Sequence, residues 1–221
     1  MKTDQVVCVA HRSDVDGLAS AALVKRATEA KVFLVDYEDM IQTLQKIDSI
    51  GHLYICDLGF SNATAKAIIS ELERISRSAK VTYIDHHPLR SLWKRALIAL
   101  KVDLLHSATE CSSILAYLKF QNRLSRESAV LACYGAIADY VDHTATAKIL
   151  IHSFDRQLML FEATLLSMAL ARMLDNPQSL SMIVDELSKL KYPHQIQGVK
   201  ALALQQADSL THLIEEIQSI G

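Results

Sequence analysis

The sequence predicts an α/β fold: a parallel sheet of about five strands flanked by helices, followed by a mostly helical C-terminal part. Three observations carry this. Short runs rich in β-branched residues alternate with helix-length segments over the first hundred residues. Only 6 of the 221 residues are Gly and 3 are Pro, so turns are few and an all-β sandwich is disfavoured. After Thr109 the apolar residues recur at helical spacing and the strand pattern ends.

Taken in order, the strands fall at residues 6–10, 31–36, 52–57 and 80–85, with a weaker fifth run at 100–105 that would form an edge. Between the first two, GLASAALVKRATEA reads as a crossover helix. Between the third and fourth, Ser61 is positioned to cap a helix over 62–76. Strands and helices alternating at this spacing imply parallel pairing with right-handed crossovers. The segment PLRSLWKRALIALK has an amphipathic pattern, with Leu89, Leu92, Trp93, Ala96 and Leu97 as its inward stripe. Beyond Thr109, Asn176-Pro177 and Tyr192-Pro193 divide the chain into helices of about 20, 13 and 25 residues.

Composition bounds the function. At 50% hydrophobic and 22% charged the chain is neither disordered nor of low complexity. With 23 basic and 25 acidic residues it has no global attraction for nucleic acid, so such binding needs a local patch. Cys8, Cys56, Cys111 and Cys133 each sit in an apolar run without C-x-x-C spacing, which reads as buried free thiols in a reducing compartment. No run reaches the ~20 apolar residues of a membrane span, and MKTDQVVCVA lacks a leader's basic start and long apolar stretch. The expectation is a cytoplasmic protein with no membrane partner.

Ligands of an open parallel sheet bind beyond the carboxyl ends of its strands. The first strand runs into His11-Arg12-Ser13-Asp14-Val15-Asp16-Gly17, the third ends at Asp57, and the fourth at Asp85-His86-His87. A later helix carries Asp139 and Asp142 in GAIADYVD. Carboxylates and imidazoles gathered at one edge would repel or compete if bare, and divalent metal resolves that conflict. Four ionised groups, Asp14, Asp16, Asp57 and Asp139, match two dications, one carboxylate bridging them at the ~3.5–4 Å that two-metal hydrolysis uses. Oxygen and imidazole ligands suit manganese or magnesium, with cobalt or zinc also accommodated. Taken singly, Asp57 is also a plausible helix cap, Asp14 and Asp16 a polar turn with Gly17 supplying a positive φ, and Asp142 and His143 a solvated helix end. His52, His106, His152, His194 and His212 have no partner pattern.

The ordered motifs H-x-x-D-x-D-G, a strand-end Asp, D-H-H and the Asp of G-A-I-A-D-Y resemble the DHH phosphoesterase family, which contains the RecJ-like nucleases. The resemblance covers roughly residues 5–145. It implies that His11, Asp14 and Asp57 hold one metal, and that Asp16, Asp57, His86 and Asp139 hold the other. Asp57 would bridge, His87 would face the substrate phosphate, and Asp57, His86 and His87 would carry the catalysis. The spacing from His11 to the D-x-D is one residue shorter than in some branches. The implied organisation is a DHH-like catalytic domain at 1–145 and a helical extension at 146–221, its last helix similar to the one joining two domains in RecJ-like proteins. The Gly-rich, His-containing loop of such a second domain is absent, so the chain reads as a catalytic lobe without that partner.

The implied activity is a manganese-dependent phosphodiesterase, a single-strand nuclease or oligonucleotidase using a water activated by two metals. Its substrate would be single-stranded nucleic acid or a short oligonucleotide, its associates replication or repair proteins. Arg90, Lys94 and Arg95, with Lys101, form an acid-free stretch after the D-H-H that would guide a phosphate backbone. Three alternatives stay open: a pyrophosphatase-like hydrolase of the same family, a haloacid-dehalogenase-like phosphatase with Asp14 as nucleophile, and an inactive DHH-like scaffold.

Overall fold

The computed structural model describes residues 5–220. Residues 1–4, part of the opening stretch read for a leader, and Gly221 lie outside the described residues. The order is β1 (Val6–His11), α1 (Val15–Thr28), β2 (Lys31–Val35), α2 (Tyr37–Lys46), β3 (His52–Cys56), α3 (Ala65–Ser76), β4 (Lys80–Asp85), α4 (Ser91–Ala99) and β5 (Asp103–His106). The helices α5 (Ser112–Phe120), α6 (Ala129–Ala138), α7 (Ala145–Ile151), α8 (Arg156–Leu170), α9 (Pro177–Ser188) and α10 (Val199–Ile220) follow. The fold class is the expected one: five parallel strands in the order β2-β1-β3-β4-β5, with helices on both faces and a helical C-terminal part.

Side-chain alternation along each strand separates two cores. Cys8, Ala10, Tyr54, Cys56 and Ile84 face a core shared with α1, α5, α6, α8 and α9, which continues to Ala203 of α10. Val7, Val9, Leu53, Ile55, Val81 and Tyr83 face a core built with α2, α3 and α4. The direction in which successive strands are added reverses at β1, which lies between β2 and β3. That reversal opens a crevice at the carboxyl edge. The register there, Ala10 opposite Cys56 and Cys56 opposite Ile84, sets His11, Asp57 and Asp85 in the next row.

Several local expectations shift for identifiable reasons. β5 begins at Asp103, not at residue 100, because Leu100 caps α4 and Lys101 takes a left-handed backbone (φ 60°) that closes the helix. Asp36 leaves the strand to cap α2, its Oδ1 accepting from Tyr37 N at 2.8 Å. α3 starts at Ala65, and Ser61 instead serves the preceding turn, its Oγ accepting from Thr64 N at 3.1 Å. On α4 Leu97 is fully buried but Leu92 is 55% exposed. Five residues separate them, about 140° around a helix, too wide for a short helix that meets the core along one line. All four cysteines are buried and free, as expected. Among the described residues no helix is long and apolar enough to cross a membrane.

Candidate metal centre

The crevice is built from strand ends and three helix termini, the N-termini of α1 and α5 and the C-terminus of α6. After β1 the chain turns at Asp14, which caps α1 through Oδ1, accepting from Gly17 N at 2.8 Å, while Oδ2 lies 2.6 Å from His11 Nδ1. Gly17 lies inside the helix and does not have the positive φ that a turn reading requires. It is needed because a Cβ there would come under 3.0 Å from the His11 backbone. Asp16, in the first turn of α1, is fully buried. Its two oxygens accept from Ser112 N at 2.8 Å and Ser113 N at 2.9 Å, so the N-terminus of α5 clamps the carboxylate.

Asp57 follows β3 with a left-handed backbone (φ 60°), unusual for a residue other than Gly. It is 1% exposed. Oδ1 lies 3.2 Å from His86 Nε2 and accepts from Ser112 Oγ at 3.1 Å. Oδ2 lies 3.7 Å from His11 Nδ1 and has no hydrogen-bond partner among the described residues. His86 Nε2 is also 3.2 Å from Asp139 Oδ2 and 4.0 Å from Asp16 Oδ2. Asp139 caps the C-terminus of α6 and does not lie within it.

Three overlapping sets of potential metal ligands result: His11, Asp14 and Asp57; Asp16, His86 and Asp139; and Asp57, His86 and His87. Within each set the ligand atoms lie within 4.8 Å of one another. Electrostatics shows the crowding. Burial, together with the charges of Asp57 and Asp139, pushes Asp16 well above the usual carboxylate range. Burial, Asp57 and Asp14 raise Asp139 to about 6. Burial would also raise Asp57, but the facing imidazoles of His11 and His86 outweigh it and hold Asp57 low. Burial opposes charge on His11, yet its bond to Asp14 and the nearby Asp57 carboxylate raise it to about 10. The bond to Asp57, against burial, raises His86 to about 9. The upward shifts of His11, His86, Asp16 and Asp139 all favour bound protons, which divalent cations would displace. The unpartnered, sealed Oδ2 of Asp57 and the mixed carboxylate–imidazole donor set fit divalent cations.

His87 sits at the rim. Its Nδ1 is 2.8 Å from Asp85 Oδ1, which raises its pKa against burial, and its Nε2 is 3.3 Å from the Tyr37 hydroxyl. Gly59 permits this approach, since a Cβ there would lie 2.7 Å from the His87 Cβ. Arg90, Lys94 and Arg95 do not join the cluster. All three are exposed on or beside α4, where Arg90 Nη1 donates to Asn62 Oδ1 at 2.8 Å. His143 is exposed and Asp142 half-buried beyond α6, outside the three sets.

Besides Tyr37, sequence reasoning missed four contributors. Ser112 and Ser113 clamp Asp16, and paired serines before an apolar helical run are a readable helix start. Asp36 lies 3.7 Å from His11 Nε2, and as a strand-end residue it met the same criterion as Asp57. His106, at the end of β5, has its Nε2 2.7 Å from the His87 carbonyl and supports the rim.

The sequence matches no protein-family profile and no curated protein. Its fold is similar to that of a crystal structure of exonuclease RecJ bound to manganese, at 16% identity and a TM-score of 0.51. That similarity covers 97% of this chain and 62% of the exonuclease, so the chain spans less than two thirds of its length. A RecJ in complex with Mn2+ from Thermus thermophilus gives 17% identity and a TM-score of 0.48 over 97% of this chain and 35% of that one. An uncharacterized protein from Helicobacter pylori gives 12% and 0.47 over 90% and 63%.

Proposed function

We propose that the chain is a metal-dependent phosphodiesterase acting on single-stranded nucleic acid or short oligonucleotides. The observation that carries this reading is the pair of ligand sets flanking Asp57, whose sealed Oδ2 lacks a partner. A fold similar to that of a manganese-bound exonuclease supports it. In this proposal His11, Asp14 and Asp57 would hold one cation and Asp16, Asp57, His86 and Asp139 the second, with Asp57 serving both. Manganese is the expected ion, with magnesium or cobalt as substitutes. When bound, the two cations supply Lewis acidity at the phosphoryl oxygens and lower the pKa of the attacking water.

The chain's own residues do the rest. Ser112 and Ser113 fix Asp16, so that ligand does not reorganise during turnover. Asp85 holds the His87 ring through Nδ1 and favours its cationic form, leaving Nε2 and the Tyr37 hydroxyl to meet a phosphoryl oxygen. Arg90, Lys94 and Arg95 would follow the strand backbone away from the crevice. In this reading the domain assigned to 1–145 carries the chemistry and the assigned extension, 146–221, supports it, α8 packing on α6 and α9 on α1. Four buried free thiols fit a cytoplasmic setting. Replication or repair proteins are the partners such an activity would serve.

The phosphatase alternative asks Asp14 to be a free nucleophile, whereas one of its oxygens caps α1 and the other engages His11. The test is purified chain with manganese on single-stranded oligonucleotides, dinucleotides, an aryl phosphodiester and pyrophosphate. Cleavage of the diesters that stops with chelator is expected. Turnover of pyrophosphate alone would replace the proposal with the phosphoanhydride reading. No hydrolysis of any substrate with manganese, magnesium or cobalt would leave the scaffold reading.

A further inference from the structure

A second cavity, of about 650 Å³, opens at the opposite edge of the sheet, where β3, β4 and β5 begin. β3 starts in this cavity at His52 and ends beside Asp57, so roughly 17 Å of strand separates it from the metal centre. Nothing in the proposed chemistry uses it.

Its walls concentrate positive charge. Lys80, Lys101, Lys119 and Arg123 line it against one carboxylate, Asp103. That carboxylate is already engaged, paired with Lys119 Nζ and accepting from Thr82 Oγ1 at 3.3 Å. Lys80, Lys101 and Arg123 make no ion pair among the described residues. His52 responds to this field: burial and then the charges of Lys80 and Lys119 push it down to about 4.

An aromatic wall lies beside the cations. The His52 ring stacks on Tyr54, with centroids 4.1 Å apart and planes 14° apart, and Tyr54 tilts against Phe120 at 5.5 Å. All three residues line the cavity. Ser76, on another wall, has a buried Oγ with no hydrogen-bond partner among the described residues.

The volume is that of a small-molecule site, several times what a lone phosphate needs. Unpaired cations ask for an anion, and the half-buried His52 ring, backed by the buried Tyr54 and Phe120, asks for a planar group. A nucleic-acid strand is usually followed by a groove over several nucleotides. Here α3, α5 and three strand starts converge on one hollow. We infer that this cavity binds a nucleoside phosphate at a site distinct from the catalytic edge.

The test is calorimetric titration of the full chain in chelator, with ADP, adenosine and pyrophosphate as separate probes. ADP is expected to bind saturably, with adenosine and pyrophosphate each at least tenfold weaker. Lys80→Glu and Lys101→Glu, both at exposed positions, should each weaken ADP at least tenfold, with melting curves confirming the fold and Arg123→Glu standing in if one fails. Asp57→Asn, or Asp139→Asn if the first does not fold, should leave ADP affinity within twofold. Absence of saturable ADP binding overturns the inference. So does ADP binding that is lost in Asp57→Asn but kept in Lys80→Glu, because the ligand would then sit at the metal centre. Pyrophosphate binding as tightly as ADP overturns the nucleoside component. Lys80-dependent binding of an oligothymidylate without ADP binding would replace it with a strand path.

Discussion

Gly135→Ala probes whether the ligand geometry depends on the packing of α6 against Asp16. Gly135 lies inside α6 against the start of α5 and the first turn of α1. A Cβ built there falls under 3.0 Å from both Ser113 Oγ and Asp16 Oδ1, where ordinary contact begins at 3.4 Å. The clash requires a shift of about 1 Å or a rotamer change. In a free helix the substitution would gain about 1 kcal/mol. Overpacking costs ~1–3 kcal/mol, and each hydrogen bond Asp16 loses to Ser112 N or Ser113 N leaves a buried group costing ~1–3 kcal/mol. We therefore expect a net loss of about 2 kcal/mol, or ~4–8 °C in Tm for a chain of this size.

The metal response separates damaged packing from a displaced ligand. If wild type binds manganese at a hundredfold excess over Kd, it gains about 2.7 kcal/mol, and a tenfold weaker site gains ~1.4 kcal/mol under the same conditions. Thermal melts of both proteins in chelator and in manganese give the two differences. Adding Ser113→Ala removes one clash but leaves that with Asp16. The double variant should recover part of the Tm and none of the metal response. A Gly135→Ala protein with the wild-type Tm and an undiminished manganese shift would refute the reasoning.

Asp57→Ala is expected to abolish hydrolysis, because the proposed bridging ligand serves both cations, whereas His11→Ala should retain activity at raised manganese; equal loss at saturating metal removes that ranking. Chelator should lower the wild-type Tm by several degrees, and identical melts with and without it would count against a preformed site. In chelated protein Asp139 titrates near 6 in the folded state against 3.8 unfolded, so its stability contribution is full below 3.8 and is lost as pH rises through about 6. Asp139→Asn should accordingly raise the chelated protein's Tm at pH 8 more than at pH 4.5, and a pH-independent difference sinks the argument. Neutralising Arg90, Lys94 and Arg95 together should weaken binding of long single strands and flatten its salt dependence while sparing an aryl phosphodiester; parallel loss on both substrates would place these groups elsewhere.

The sheet was legible because its inner strands β1, β3 and β4, buried on both faces, read as short apolar runs, and because few glycines or prolines interrupt the helices between them. What was lost lay at the ends of elements. Leu100 and Lys101 look like strand residues, yet a left-handed Lys101 ends α4 and delays β5 to Asp103. That conformation depends on how α4 meets the sheet edge, which a β-branched pattern does not encode. Leu92 illustrates the same limit, since its apolar character gives no sign that the helix touches the core along only one line.

The candidate centre was legible to the extent that its chemistry sits in short motifs. His11, Asp14, Asp16, Asp57, His86, His87 and Asp139 converge from separate stretches of sequence, and the strand-end rule draws attention to most of them. The supporting groups were harder to read because their role arises from pairing across elements. Ser112 and Ser113 mark a helix start, but they act on Asp16 through backbone N–H groups, so their side chains do not reveal which carboxylate that start will hold. The glycines are the clearest case. Gly17 and Gly135 stand inside quoted motifs and Gly59 follows one closely, yet none of those motifs gives the packing reason: a Cβ at Gly17, Gly59 or Gly135 would strike His11, His87 or Asp16, respectively. Their isolation argues against a phosphate-cradling loop, and their contacts show another use: each lets backbone or helix approach a polar side chain that must sit in one place. Such a glycine is identified only when the residue it makes room for is known, which is why the sequence names the candidate ligands more readily than the packing that holds them.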